Sequence, residues 1–549
     1  MILRLILIVK KSVKITLWVV CSLVGLVVLL FMSADIIVSR MVTKEVSRTF
    51  DSIPDADAKT GPIYLNLLSG SAIVTDITFC THSLTLEDAE NNNREPGLAV
   101  HIPSIAVWNI NYIELLKRRR LEVFKISVND PQVLVYIDEK QPETILPAFP
   151  KDTTLEKAQL WLRHVQVSHI EINNIQARVR STRSPLYVSA DTLSVECHDI
   201  AYNFVDSVFS YNDSVYSLSL NAAKVALPDG LMEMEVHDLT MKDQGSLGLG
   251  YTRIRNVITH KQMADLAREP ITWIDLELNS LSTSPFNPIR KVLAQDWMLD
   301  KINVDVRRMQ VCRDARYAPK EPFGTPQEFL RKLPVVFQIK QIEAVARKID
   351  VDMYTTEINC GKMHLRDGHA WMTNVTNRPG AVWKNHAKAP FGTKGQVDAH
   401  YDFHMDKASS FDLSIKGSNI ELEDLNPFIR PLVGITCTCH ADQIDASYKG
   451  DKTIAQGSFC FQYHGLDVKV HKEDNIPYKI VTKHADFFTS AANSLIPKSN
   501  PTAVDIHPRR YSVEWKRDVW SPYPLYLFGP CIDGIKKTML PGLYVHKQL

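Results

Sequence analysis

The sequence carries no excess of charge of either sign. Its 63 lysines and arginines are balanced by 62 aspartates and glutamates, giving a formal net charge of +1, and the two signs are interleaved along the chain. A nucleic-acid partner needs a basic face to gather phosphates, so none is expected. Catalytic signatures are missing as well. There is no HExxH and no GxSxG. Gly529 and Gly534 stand at the spacing of a phosphate-binding loop, but Ile535 occupies the place of its lysine. The glycine-rich GSLGLG at residues 245–250 lacks the strand before and the helix after that a dinucleotide fingerprint requires. Catalysis has no support in these residues, and no catalytic residue, cofactor or metal is expected. The nine cysteines are spread without the density of a disulfide scaffold, which leaves one or two bridges open in an oxidising compartment.

Long hydrophobic runs are also few, and one at the N-terminus stands out. Residues 15–34 contain no charge. At about 1.5 Å of rise per residue they match the roughly 30 Å hydrocarbon core of a bilayer. Ile15, Leu17, Trp18, Val19, Val20, Leu23, Val24, Leu26, Val27, Leu29, Leu30 and Phe31 would face the lipid. Arg4, Lys10, Lys11 and Lys14 precede the run, and the first cation after it is Arg40. The positive-inside rule therefore puts the N-terminus in the cytoplasm and the chain after Ala34 across the membrane. A cleaved signal peptide also begins basic and apolar, but its apolar core is shorter, about 7–15 residues. Met32, Ser33, Ala34 and Asp35 make a poor small-x-small cleavage site, so an uncleaved anchor is expected. Residues 35–60 then read as a stalk and polar linker.

The stretch 98–137 organises the rest of the chain. Ile105 and Val107, then Phe124, Ile126 and Val128, then Val133, Val135 and Ile137 alternate with polar residues as half-buried strands do. Between them Tyr112, Ile113, Leu115 and Leu116 recur at helical spacing. Lys117, Arg118, Arg119 and Arg120 close that helix, where cations complement its dipole. Asn129, Asp130 and Pro131 supply a turn. The unit is strand, short helix, strand, turn, strand. A similar pattern returns at 252–278, with Thr259 as helix cap and Pro270 as stop, and again from residue 287, where NPIRKVLAQDWM is a helix candidate. Thr154 with LEKAQLWLRHV, TPQEFLRKL and DFFTSAANSLI are further short helices, and an apolar tail closes the chain. Elsewhere short alternating runs separated by turn residues indicate antiparallel sheet. The expected protein is mainly β, with about twenty-five strands of five or six residues and five or six helices. The expected divisions are 1–34, 35–60, 61–150, 151–361 and 362–549.

The 98–137 unit resembles the membrane-proximal segment of the AsmA-like family of envelope proteins, and residues 424–427, DLNP, resemble a late turn of that family. The resemblance implies an elongated, curved antiparallel sheet, a half-pipe whose apolar groove holds acyl chains. It implies a single-pass protein of a bacterial inner membrane with its bulk in the periplasm. The function implied is non-enzymatic, in outer-membrane biogenesis, by sheltering or transferring phospholipid. Ile105, Val107, Ile126, Val133 and Val135 would line the groove. An anchored scaffold of packed β-sandwiches that binds envelope proteins is the alternative, and an anchored hydrolase would need clustered carboxylates or a nucleophile pair that the sequence does not show.

Other residues carry chemistry of their own, each beside a plainer reading. Cys437, Cys439 and His440 have the look of metal ligands, yet no second pair stands at zinc-site spacing, and buried thiols on a strand are expected. Asp350 and Asp352 form a DxD that equally fits the polar side of a strand whose other side is Ile349, Val351 and Met353. The Lys117 to Arg120 cluster fits a lipid headgroup or simply a solvated helix end. Asp followed by a hydroxyl residue at Ser52, Thr153, Thr192, Ser207 and Ser214 resembles the O-glycosylation acceptor pattern of Bacteroidetes envelope proteins.

Overall fold

The computed structural model describes residues 43–44, 56–66, 69–81, 84–90, 95–138, 140, 163–204, 208–210, 216–242, 245–286, 296–333, 335–356, 358–472, 485–503 and 506–540. The anchor from Ile15 to Phe31, the helix expected after Thr154, the candidate at 287–295, and the acceptors Ser52, Thr153, Ser207 and Ser214 lie outside them. Among the described residues no helix is long and apolar enough to cross a membrane.

The protein is mainly β, 62% strand with few short helices, and it forms two compact units. Among the described residues the first takes those up to Thr252, with 284–286. Its strands are β1 (Ala56–Lys59), β2 (Ile63–Asn66), β3 (Ser71–Thr81), β4 (Gly97–Ile110), β5 (Arg120–Asn129), β6 (Gln132–Ile137), β7 (His164–Ser181), β8 (Tyr187–Asn203), β9 (Val208–Ser210), β10 (Tyr216–Ala226), β11 (Met232–Lys242) and β12 (Ser246–Leu249). Helix α1 (Tyr112–Arg118) joins β4 to β5 as expected. The Asn111 side chain caps it by accepting the Glu114 N–H, and Arg119 ends it in the left-handed conformation.

The second unit contains β13 (Thr252–Asn256), α2 (His260–Ala267), β14 (Ile271–Thr283), β15 (Asp296–Asp314), α3 (Pro326–Arg331), β16 (Val336–Tyr354), β17 (Cys360–Thr376), β18 (Val382–Phe391), β19 (Gly395–His404), β20 (Phe411–Glu421), α4 (Asn426–Val433), β21 (Ile435–Gly450), β22 (Ile454–Val470), α5 (Ala485–Leu495), β23 (Ser499–Asn500), β24 (Arg510–Lys516) and α6 (Tyr523–Met539). Thr259 caps α2 and Thr325 caps α3, each in a reciprocal capping box, with Gln262 and with Glu328. Asp296 to Met298, expected in a helix, instead begin β15.

Two expectations change. The sheet is mixed and not antiparallel throughout, because β7 runs parallel to both β5 and β6, and β16 runs parallel to β15. Both cases come after a long connection, residues 138–163 and 315–335, and a long crossover permits the parallel pairing that a tight hairpin forbids. Strands are also far longer than expected: β7 has 18 residues, β8 has 17, and β15 and β16 have 19 each. Residues with left-handed backbone sit inside them. Asp76, Asn174, Thr192 and Asp238 adopt φ of 53°, 57°, 55° and 53°. Asn and Asp tolerate this left-handed geometry, which is unusual for the β-branched Thr192, and as at a bulge it inverts the in-out alternation while the ladder continues. Asn174 is held there by its N–H to Ser194 Oγ (3.1 Å) and its Nδ2 to Asp130 Oδ1 (3.0 Å).

Candidate functional site

The inversions occur at matching places on neighbouring strands, so one face of the first unit stays apolar across them. Register gives its rows. Leu98, Val135, Val179, Val188, Val225 and Met234 stand side by side from β4 to β11. Next to them run Phe79, Val100, Val133, Ala177, Ala190, Ala223 and Val236. Beyond the row of inversions come Val74, Ile105, Val128, Ile172, Val195, Leu218 and Met241. The opposite face is polar over β5, β7, β10 and β11, with Lys125 on Glu171 (2.8 Å) and Lys224 on Glu233 (3.2 Å).

The five residues expected to line a groove all lie on the apolar face, in two environments. Ile105, Val107 and Ile126 are buried, at 7%, 3% and 2% exposure, in a packed cluster with Val74, Leu115, Leu121 and Val167. Val133 and Val135 are half-exposed, and so are Ala177, Val179, Val188, Ala190, Ala223, Val225 and Met234. The closed part of the face has α1 beside β5. Phe124, expected to point inward with Ile126, is 57% exposed, because the alternation inverts between Val123 and Ile126, both of them buried. Leu134 and Tyr136, on the other side of β6, pack with Leu84 and Ala99, and Tyr136 Oη donates to the Asp88 carbonyl (2.7 Å).

The second unit has the same kind of face. Val304, Ala344, Ala370, Ala387, Ala399, Ile415, Ala446, Phe459 and Tyr511 form one row across nine strands, from β15 to β24. Its C-terminal end is closed by α6. Gly534 lies so near Phe459 that a Cβ there would stand 2.2 Å from the ring, and one on Gly529 would stand 2.3 Å from Trp515. The two glycines that resembled a phosphate loop are therefore contact points between helix and sheet. Tyr448 Oη donates to the Leu527 carbonyl, and Tyr526 Oη to the Asp451 carbonyl at 2.7 Å.

The remaining candidates resolve into ordinary structure. Cys439 is buried and Cys437 packs against the same cluster. Burial pushes both thiols up, Cys439 to about 12, so they are neutral at physiological pH. Asp350 is on the polar face but only 5% exposed, under Arg308 (3.5 Å), Lys348 (3.1 Å) and His364 (2.7 Å). Burial opposes its charge, but the hydrogen bonds from His364 and Lys348 hold its carboxyl below the usual range. Asp352 accepts from Gln310 (3.2 Å). Residues 246–249 of the glycine-rich segment form β12. Arg118 pairs with Glu114 within α1 (2.9 Å). Thr192 sits at a strand inversion, half-buried, its hydroxyl donating to the Asp191 carbonyl (2.7 Å).

Sequence reasoning missed a cleft of about 420 Å³ on the polar face of the second unit, lined by Trp371, Lys384, His386, His400, Asp402 and Lys449 among others. Its residues lie on five strands, so no local motif announces it. The charged lining, with Asp412 bridged to His404 (2.8 Å) and Lys449 (3.0 Å), is unsuited to an acyl chain.

No model of a protein family matches the chain, and no curated sequence does.

Proposed function

We propose that this is an AsmA-like envelope protein, anchored by residues 15–34 in a bacterial inner membrane, whose apolar sheet face shelters phospholipid acyl chains on the periplasmic side. One observation carries the reading. From Val133 and Val135 to Met234 the apolar face runs in register across β6, β7, β8, β10 and β11, and its side chains are partly exposed. Contiguous exposed apolar surface marks an interaction site. A lipid tail laid on it leaves water at a gain of about 0.8 kcal/mol per buried methylene. The gain is non-directional and needs no reacting group, in keeping with a carrier and not a catalyst. The groove proper is then the Val133 to Met234 portion, and Ile105, Val107 and Ile126 form the packed end that supports it.

The test is site-specific photo-crosslinking in cells. A benzoylphenylalanine at Val188 or Val225 should capture phospholipid, and the same probe at Ser189 or Lys224, on the opposite face, should not. Equal capture from both faces, or protein captured at Val188 in place of lipid, would replace the carrier with a scaffold for envelope proteins.

A further inference from the structure

On the polar side of the first unit two histidines and two glutamates form a rectangle across one strand pair. His169 on β7 stands directly opposite His198 on β8, and Glu171 directly opposite Glu196. Like charges in facing positions repel, so this arrangement is unfavourable unless cations accompany it. His169 Nε2 lies 3.0 Å from Glu171 Oε1 and 3.5 Å from Glu196 Oε1, while His198 Nε2 lies 3.2 Å from Glu196 Oε1. Lys125 reaches Glu171 (2.8 Å), and Ser217 Oγ donates to Glu196 Oε2 (3.1 Å). The rings meet edge to face, with centroids 4.4 Å apart and planes at 66°.

Counting hydrogens gives the chemistry. A carboxylate only accepts, so each Nε2 must carry the N–H. A neutral imidazole has one such hydrogen, which leaves both Nδ1 atoms bare. Those atoms face each other at 3.3 Å. Two lone pairs at that separation repel unless something positive joins them. Two nitrogens bound to a tetrahedral zinc at about 2.0–2.1 Å are separated by about 3.3 Å. The outer carboxylates on Nε2 also match the carboxylate–histidine–metal pattern that fixes the tautomer of a ligating ring.

We infer that His169 Nδ1 and His198 Nδ1 form a binding site for a divalent transition metal of the zinc class, with Glu171 and Glu196 orienting the two rings. His169, Glu196 and His198 are close-set, each offering a ligand atom within 4.8 Å of the others, and with Glu196 Oε1 on the Nε2 side of the rings the remaining coordination positions at the Nδ1 pair go to water. The ion clamps β7 to β8 on the face opposite the apolar rows. A second group, His386, Asp398 and His400, is also close-set. Its rings stack face to face at 4.0 Å and 8°, so their in-plane lone pairs run parallel and do not converge, and Lys388 already holds Asp398 (3.0 Å).

The test uses the full-length chain purified in detergent, stripped of metal, and titrated with ZnCl2 against a chromophoric chelator at about pH 7.5, where imidazole is neutral. One Zn2+ should bind per chain, with X-ray absorption showing nitrogen ligands at about 2.0–2.1 Å. His169→Gln and His198→Gln should abolish that uptake, Glu196→Gln should weaken it by about 10–100-fold, and His400→Gln should leave it unchanged. Circular dichroism shows whether each variant folds, and Glu196→Gln tests the site without removing a ring. Absence of uptake by the folded wild type would overturn the inference in favour of a proton shared between the rings. Uptake that survives in both histidine variants, or depends on His400, would overturn it equally.

Discussion

Gly534 should not tolerate even a methyl group. In most helices Gly→Ala is stabilising by about 1 kcal/mol, because alanine orders the backbone at less entropic cost. Here the added Cβ would lie 2.2, 2.3 and 2.6 Å from Cγ, Cδ1 and Cβ of Phe459. Phe459 is 1% exposed and packed among Phe411, Tyr448 and Tyr526, so its ring has nowhere to go and α6 must lift. Overpacking of this kind costs about 1–3 kcal/mol, and contacts as short as 2.2 Å on a buried ring put Gly534→Ala at the upper end, above the propensity gain. The natural control is Gly368 on β17, whose Cβ would meet nothing nearer than 3.9 Å. Gly368→Ala should be neutral or stabilising by about 0.4–1 kcal/mol through the unfolded chain. Hydrogen exchange over residues 523–539, read by mass spectrometry, measures the helix opening directly. Net destabilisation of about 1.4 kcal/mol corresponds to tenfold faster exchange. Exchange in Gly534→Ala equal to or slower than wild type would refute the close docking of α6.

The two environments of the apolar face predict opposite outcomes. Ile126→Ala should cost about 2–5 kcal/mol because it empties a fully buried position. Val135→Asp, at a half-exposed position, should cost under about 1 kcal/mol and yet reduce lipid capture; urea unfolding beside the crosslinking assay separates the two effects. Asp314 predicts a pH dependence. Its side chain is 0% exposed, and burial opposes its charge, but Arg316 (2.9 Å) and His260 (3.1 Å) hold its carboxyl below the usual range. With the folded value below the unfolded one, its stabilisation is fully present above the unfolded value near pH ~4 and is lost as pH falls through the folded value. Asp314→Asn should therefore be less stable than wild type at neutral pH, with the gap narrowing on acidification; a gap that stays constant between neutral and acid pH would contradict the assignment.

Local signals were legible where local chemistry decides. The Asn129–Asp130–Pro131 turn and the Thr259 cap could be placed from residue type alone, and the structure has them. Strand length could not, because the in-out alternation breaks at Asn174, Thr192 and Asp238, and only the neighbouring strand's matching inversion shows that the ladder goes on. Parallel pairing of β5 with β7 was hidden for a similar reason, as nothing in either strand records its partner's direction. Periodicity correctly put Ile126 and Val135 on apolar sides, but both patterns are alike, and the difference between a buried and a half-exposed valine or isoleucine is set by what lies across from it. The His169, Glu171, Glu196 and His198 rectangle had a faint signal, HIE at 169–171 and ECH at 196–198. It gains meaning only from the register that sets the two pairs opposite.

The central claim is that the half-exposed rows hold lipid. The most direct measurement is native mass spectrometry, with lipid extraction, on full-length protein released from the envelope in mild detergent, compared with a Val188→Asp, Val225→Asp double variant that retains the anchor. Phospholipid bound in stoichiometric amount by the wild type and lost from the folded variant is the predicted result. A folded wild type free of lipid, or a variant carrying just as much, would contradict it.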